Sequence, residues 1–173
     1  MTARTLRIQI ARRIDGGSVL RCERPDGSMT WQRQEGRQAE FFPLHDLTHY
    51  AVERTLGIRQ AFYGLIGAGW DVDDTTGKGR RGPLPDPALF VESLVGLLDG
   101  ERAGGVRWTA VEFNQQIGSY LARSGRRPAL ILDDEQLSRI RTERNAAFER
   151  WRAVPPGGTL EIDFPLAPSE QAP

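Results

Sequence analysis

Few residue types with a strong chemical signature occur in this chain. Among its 173 residues are one cysteine, two histidines and a single lysine, Lys78. The lone Cys22 cannot form a disulfide within the chain, a pattern typical of proteins from a reducing compartment. We therefore interpret Cys22 as a buried strand residue and expect a cytoplasmic protein.

Excess charge and long apolar runs are also missing. The 23 basic residues balance 23 acidic ones, so no overall field attracts nucleic acid or an anionic membrane. No run approaches the roughly 20 apolar residues that a membrane-spanning helix requires, and the N-terminus carries no apolar signal core. The composition thus predicts neither a nucleic-acid partner nor a membrane partner.

Alternating apolar residues predict strands at both ends of the chain. Leu6–Ile10, Val19–Arg24 and Met29–Gln34 are separated by glycine-containing turns and predict an antiparallel meander. The segment Leu160–Phe164 alternates in the same way after a Pro-Pro-Gly-Gly stop, and we expect it to return to the N-terminal sheet.

Helical spacing dominates the middle of the chain. We predict helices at Leu44–Leu56, from Asp86-Pro87, after the capping pairs Thr109/Glu112 and Asp133/Gln136, and a short apolar segment at Ala61–Ile66. The helix from Asp86 is apolar nearly all round, which favours a central buried position. Residues 71–87 are polar and rich in glycine and proline, which predicts a surface loop.

These elements predict an α+β protein with a small antiparallel sheet packed against about four to five helices. The sheet combines the N-terminal meander with the C-terminal strand. We expect a single domain over residues 1–166 and a disordered tail over 167–173.

Both histidines lie in the segment Phe41–Glu53. Because His45 and His49 are four residues apart, a helix places them on one face at a separation that one metal ion can bridge. Glu53 follows one turn later and is the first candidate for a third ligand. Imidazole and carboxylate together suit zinc, iron, manganese or nickel.

Other assignments remain open within this hypothesis. The third ligand is Glu53 or a carboxylate brought in by the fold, and Asp46 suits a general base or an acceptor that orients a ring N–H. The carboxylates considered from elsewhere in the chain are Glu112, Asp71, Asp73 and Asp74.

The HDxxH pattern of His45, Asp46 and His49 resembles the metal dyad of HD-domain phosphohydrolases. That family also uses an upstream histidine, and this chain has none before His45. The pattern is similar as well to the zinc motif of a ubiquinone-biosynthesis family, in which a glutamate follows after eleven intervening residues, where Ala61 stands here.

A third resemblance covers both ends of the chain. The segment from Pro43 to Glu53 and the W-x-x-x-P-P-G-G stretch at 151–158 resemble small, uncharacterised bacterial proteins with a PxHDLxHYxVE motif. This resemblance implies that the histidine helix is a family feature and implies no activity.

Two functional hypotheses follow. In the first, the histidine helix carries a divalent metal ion, with zinc as the first candidate, and a metal-activated water supports hydrolysis. In the second, the protein is a non-enzymatic interaction or structural module, in which both histidines pack and the 71–87 loop contacts a partner. The partner would be a small molecule or a protein, and the sequence does not decide whether the protein is an enzyme.

Overall fold

Four antiparallel strands form one sheet. The computed structural model of the protein describes residues 4–166, so the predicted disordered tail lies outside the described part. The strands are β1 (Thr5–Arg12), β2 (Ser18–Glu23), β3 (Met29–Gln34) and β4 (Thr159–Pro165), in the spatial order β3-β2-β1-β4. The C-terminal strand thus returns to the N-terminal sheet, as the sequence predicts, where it pairs with β1, and the α+β class is confirmed.

The alternation in the strands decides which sheet face is covered. Leu6, Ile8 and Ile10 are fully buried on one face of β1, whereas the residues between them point to the other face. The register places Ile8 opposite Cys22 on β2 and Ile162 on β4, so the buried face continues across the sheet. Burial of Cys22 agrees with its interpretation as a strand residue.

The described residues form five α-helices, which share two apolar cores, one against this face of the sheet and one among the helices. The helices are α1 (Phe41–Leu56), α2 (Phe62–Gly67), α3 (Asp86–Gly104), α4 (Ala110–Ala122) and α5 (Asp134–Arg152). The capping residues Thr109 and Asp133 accept the backbone N–H groups of Glu112 and Gln136, which fixes the first turns of α4 and α5. In the part of the chain that is described, no helix combines the length and apolar character needed to cross a membrane.

The central position belongs to α1 rather than to α3. Leu47 and Tyr50 of α1 pack into the core beneath the sheet, whereas Val52 packs into a second core formed by the helices. Helix α3 contributes to the second core alone. The apolar character of α3 arises because it lies between α1 and α4.

The polar segment after α2 is partly folded against the sheet. A short 3-10 turn covers Val72–Thr76, and Val72 and Thr75 are buried, in contrast to the surface loop that we predicted. The Val72 N–H donates to the Thr30 hydroxyl at 3.0 Å, and the Arg24 guanidinium donates to the Trp70 carbonyl at 2.5 Å. These bonds hold the segment against the sheet, next to β3.

Candidate metal centre

Helix α1 brings the two histidine rings together. The ring centroids of His45 and His49 are 4.9 Å apart with an interplanar angle of 76°. Phe41 stacks on His45, and Phe62 lies 5.0 Å from His49, so both rings are confined on their outer faces. The side chain of His45 remains 25% exposed, whereas that of His49 is buried.

Glu92 on α3 completes a group that could hold a metal ion. One ligand atom each from His45, His49 and Glu92 lie within 4.8 Å of one another. His49 Nε2 is 3.3 Å from Glu92 Oε1. Ligand bonds of about 2.0–2.1 Å place two ligands of a tetrahedral zinc ion roughly 3.3 Å apart, so this pair is already at a suitable separation.

Carboxylates also lie beside the other nitrogen of each ring. His45 Nδ1 is 2.8 Å from Asp99 Oδ2, and His49 Nδ1 is 3.5 Å from Glu53 Oε1. Asp99 belongs to α3 and follows Glu92 by seven residues, which is close to two helical turns. One face of α3 therefore presents both carboxylates to α1.

The electrostatics of His49 reflect this environment. Burial lowers the pKa of His49, but the carboxylates of Glu53 and Glu92 outweigh burial and raise that pKa to about 10. Burial raises the pKa of Glu92, and the two histidines reverse this effect and leave it below its ordinary value. Among the described residues, neither His49 nitrogen has a partner with hydrogen-bond geometry. The contacts are ion pairs without a directed hydrogen bond.

Asp46 is held by a chain of hydrogen bonds from the sheet. The Gln34 amide donates to Asp46 Oδ2 at 2.6 Å, and the Ser18 hydroxyl donates to the Gln34 carbonyl oxygen at 2.7 Å. Burial raises the pKa of Asp46 to about 6, although Gln34 and both histidines act in the opposite direction. Asp46 thus lies beside the histidines with a fixed orientation.

Glu53 has a different position from the one that a third ligand would take. Its fully buried carboxylate accepts the backbone N–H groups of Tyr63 and Gly64 at 3.1 and 3.2 Å, at the start of α2. Gly64 permits the close turn because a Cβ there would overlap the Arg59 carbonyl. Glu53 touches the Nδ1 side of His49, whereas Glu92 touches the Nε2 side.

The remaining candidate carboxylates are engaged elsewhere. Glu112 is exposed and caps α4, and Asp71 pairs with Arg24 at 3.4 Å. Asp74 accepts the backbone N–H groups of Asp71 and Arg80, and Asp73 is exposed. The structure does not bring these four carboxylates into the group formed by the histidines and Glu92.

A cavity of about 340 Å³ opens beside this group. His45, His49, Glu92 and Asp46 all line it, and the 3-10 turn forms part of its wall. The remaining lining residues are uncharged: Gln32, Phe42, Phe62, Val72, Thr75, Thr76 and Leu84. A molecule that enters the cavity therefore meets the histidines, two carboxylates and two aromatic rings.

Sequence reasoning missed Glu92 and Asp99. A signal for both is present, because they are the first two charged residues after Asp86 in the otherwise apolar helix α3. Isolated carboxylates in a buried helix need partners, since an unpaired buried charge is costly. Because Glu92 and Asp99 are seven residues apart, close to two helical turns, this spacing also indicates that their partners lie on one side of the helix.

Comparison with models of known protein families, with curated proteins and with solved structures found no match. The function of the chain is therefore inferred from the geometry of this centre.

Proposed function

We propose that His45, His49 and Glu92 bind one divalent metal ion. The observation that carries this proposal is the convergence of their three ligand atoms within 4.8 Å around a buried imidazole nitrogen that lacks a hydrogen bond. A buried polar atom without a hydrogen bond is costly, and coordination of the deprotonated nitrogen would satisfy it. Two histidines and one glutamate form a ligand set found at catalytic zinc sites, so zinc is the first candidate.

The local charge balance supports a bound cation. Four carboxylates surround the two imidazoles: Asp46, Glu53, Glu92 and Asp99. One guanidinium accompanies them, because Arg102 Nε lies 3.8 Å from Asp99 Oδ1. Coordination requires neutral imidazoles, and the four carboxylates with one guanidinium then leave an excess of three negative charges, of which a divalent cation would offset two.

We further propose that the centre is hydrolytic. A divalent ion with three protein ligands supplies a bound water of lowered pKa when it is present. Asp46 lines the same cavity and is oriented by Gln34, so it can accept a proton from water there. This assigns Asp46 as the general base.

The cavity wall favours a neutral substrate with an apolar group. Within residues 4–166, no lysine or arginine lines the cavity, whereas Asp46 and Glu92 do, and phosphate-binding sites normally use cationic side chains. Phe42 and Phe62 offer aromatic surface to an apolar substituent. We therefore propose a carboxylic ester or amide, rather than a phosphate ester, as the substrate class.

Elemental analysis of protein purified without an affinity tag tests the metal site. We expect close to one equivalent of a divalent metal, which is lost in His49→Ala and in Glu92→Gln. Glu149→Gln, at a side chain that is 79% exposed, is the matched control and should keep the metal. Protein that stays metal-free after exposure to zinc, manganese and iron would overturn the proposal.

Chromogenic substrates test the reaction class. Zinc-loaded protein should hydrolyse 4-nitrophenyl acetate and leave 4-nitrophenyl phosphate intact. Asp46→Asn should keep the metal and lose about 10²–10⁴-fold in rate, the usual contribution of a general base. Hydrolysis of the phosphate at the higher rate contradicts the substrate class, and a fully active Asp46→Asn contradicts the role of Asp46. Inactivity toward esters and amides alike contradicts the hydrolytic function.

One observation favours the alternative function, a non-enzymatic module in which both histidines have a structural role. Glu53 and Glu92 lie at the two nitrogens of His49, so a protonated ring can join α1, α2 and α3 without a metal ion. In that case the histidines serve packing, and the metal analysis above gives no bound ion. The same experiment therefore separates the two functions.

A further inference from the structure

Asp99 stands apart from the other carboxylates around the histidines. It is buried on α3, and its Oδ2 atom lies 2.8 Å from His45 Nδ1, the shortest imidazole–carboxylate contact described at this centre. Asp99 does not line the cavity and is not one of the three grouped ligands. It therefore reaches the centre only through His45.

We propose that Asp99 is a positioning residue that sets the tautomer and orientation of His45. The inference rests on the proposed metal site. An ionised Asp99 accepts a hydrogen bond, so the proton of a neutral His45 ring must lie on Nδ1. The lone pair is then on Nε2, the nitrogen available to a metal ion, as in carboxylate–histidine–zinc arrangements.

The surroundings hold this pair in place. Phe41 stacks on His45 at a centroid distance of 5.2 Å and limits rotation of the ring. Arg102 Nε lies 3.8 Å from Asp99 Oδ1, the carboxylate oxygen that does not contact His45, and this ion pair helps to hold the carboxylate in place. Phe41 and Arg102 thus support a single orientation of the His45 ring and of the Asp99 carboxylate.

Glu53 has a similar relation to His49 but cannot serve as the test. Its carboxylate also accepts backbone N–H groups of α2, so substitution would disturb the fold as well as the ring. In the described hydrogen bonds, Asp99 contacts His45 alone. Substitution of Asp99 therefore changes its contact with His45 and its ion pair with Arg102, but none of the described backbone hydrogen bonds.

The test measures zinc affinity by competition with a chromophoric chelator. Asp99→Asn and Asp99→Ala should weaken zinc binding about 10–100-fold, the usual effect of removing such a partner. Asp86→Asn makes the same charge change on α3 at a side chain that is 87% exposed, and its affinity should stay within about twofold of wild type. Unchanged affinity in both Asp99 variants would overturn the proposal.

A second readout needs no metal. In metal-free protein with ¹⁵N-labelled histidine, the ring shifts of His45 should show the proton on Nδ1, and Asp99→Ala should remove this preference. A wild-type ring with the proton on Nε2 would overturn the proposal even if the Asp99 variants fail to fold. The ring signals that disappear in His45→Gln are assigned to His45.

The two proposals can fail separately. Zinc binding that needs His49 and Glu92 but is indifferent to Asp99 refutes the role of Asp99 and leaves the metal site standing. Absence of zinc binding in wild-type protein refutes the metal site itself. The ring shifts of His45 would then show only whether Asp99 orders the ring in a structural cluster.

Discussion

Replacing Glu53 with glutamine separates its two assigned roles, metal ligand and helix-capping acceptor. In the structure its carboxylate accepts the backbone N–H groups of Tyr63 and Gly64 and lies 3.5 Å from His49 Nδ1. Glutamine keeps the size of the side chain but has one oxygen and no charge. We therefore expect Glu53→Gln to destabilise the protein even when no metal is present.

The magnitude follows from the hydrogen bonds. A hydrogen bond to a charged acceptor contributes about 1.5–3 kcal/mol and a neutral one about 0.5–1.5 kcal/mol, so each of the two N–H bonds weakens by about 1 kcal/mol. The lower desolvation cost of a neutral side chain is offset by the lost attraction to His49. The free energy of unfolding should fall by about 2 kcal/mol, which corresponds to about 4–8 °C in Tm for a chain of this size.

Urea unfolding of chelator-treated protein measures this difference. The exposed Glu149→Gln is the control and should stay within about 0.5 kcal/mol of wild type. If metal-free Glu53→Gln unfolds at the same urea concentration as wild type, the capping role is refuted. If Glu53→Gln lowers only the stability of the metal-loaded protein, Glu53 acts as a ligand, as the sequence first suggested.

Three further predictions use independent measurements. Zinc at about 100 times its Kd should stabilise the protein by about 2.7 kcal/mol in thermal unfolding, and Glu92→Gln should lose this gain. A hydrogen bond from Arg13 lowers the pKa of Asp15 to about 2. The stabilisation that ionised Asp15 provides is therefore present above the pKa of Asp15 in the unfolded chain and is lost as pH falls through about 2. NMR titration of Asp15 should show a midpoint at about 2, and Arg13→Gln should raise that midpoint. Burial raises the pKa of Cys22, so a thiol reagent should react only with unfolded protein, and reaction with native protein contradicts its position in the sheet.

Local patterns were sufficient to predict most elements of the fold. Strand alternation in β1 and the capping pair at the start of α4 act between residues close in sequence, so they can be read without knowledge of the tertiary structure. The central helix could not be identified in this way. Both α1 and α3 have apolar faces, and only the tertiary packing decides that α1 contributes to both cores whereas α3 contributes to the second core alone.

The candidate site likewise combines features set by local sequence with features set by tertiary packing. The spacing of His45 and His49 is a property of one helix and was predictable. The choice of acidic partners depends on which helix packs against α1. The position of Glu92 in an apolar stretch of α3 indicates that it needs a partner, but the sequence does not indicate which one. Glu53 was assigned as a ligand because it shares a helix with the histidines, although its carboxylate is directed to the backbone of α2.

The positions of the two histidines on α1 and of two carboxylates on α3 also show the relative direction of these helices. His45 precedes His49 on α1, whereas its partner Asp99 follows Glu92 on α3, so the two helices run antiparallel through the centre. Along the helix axes, His45 and His49 are about 6 Å apart on α1, and Glu92 and Asp99 are about 10 Å apart on α3. Asp99 consequently lies beyond His45, while Glu92 lies beside His49 Nε2. A metal ion held by both helices would therefore couple its binding energy to their packing, so metal removal should loosen the α1–α3 contact before it affects the sheet.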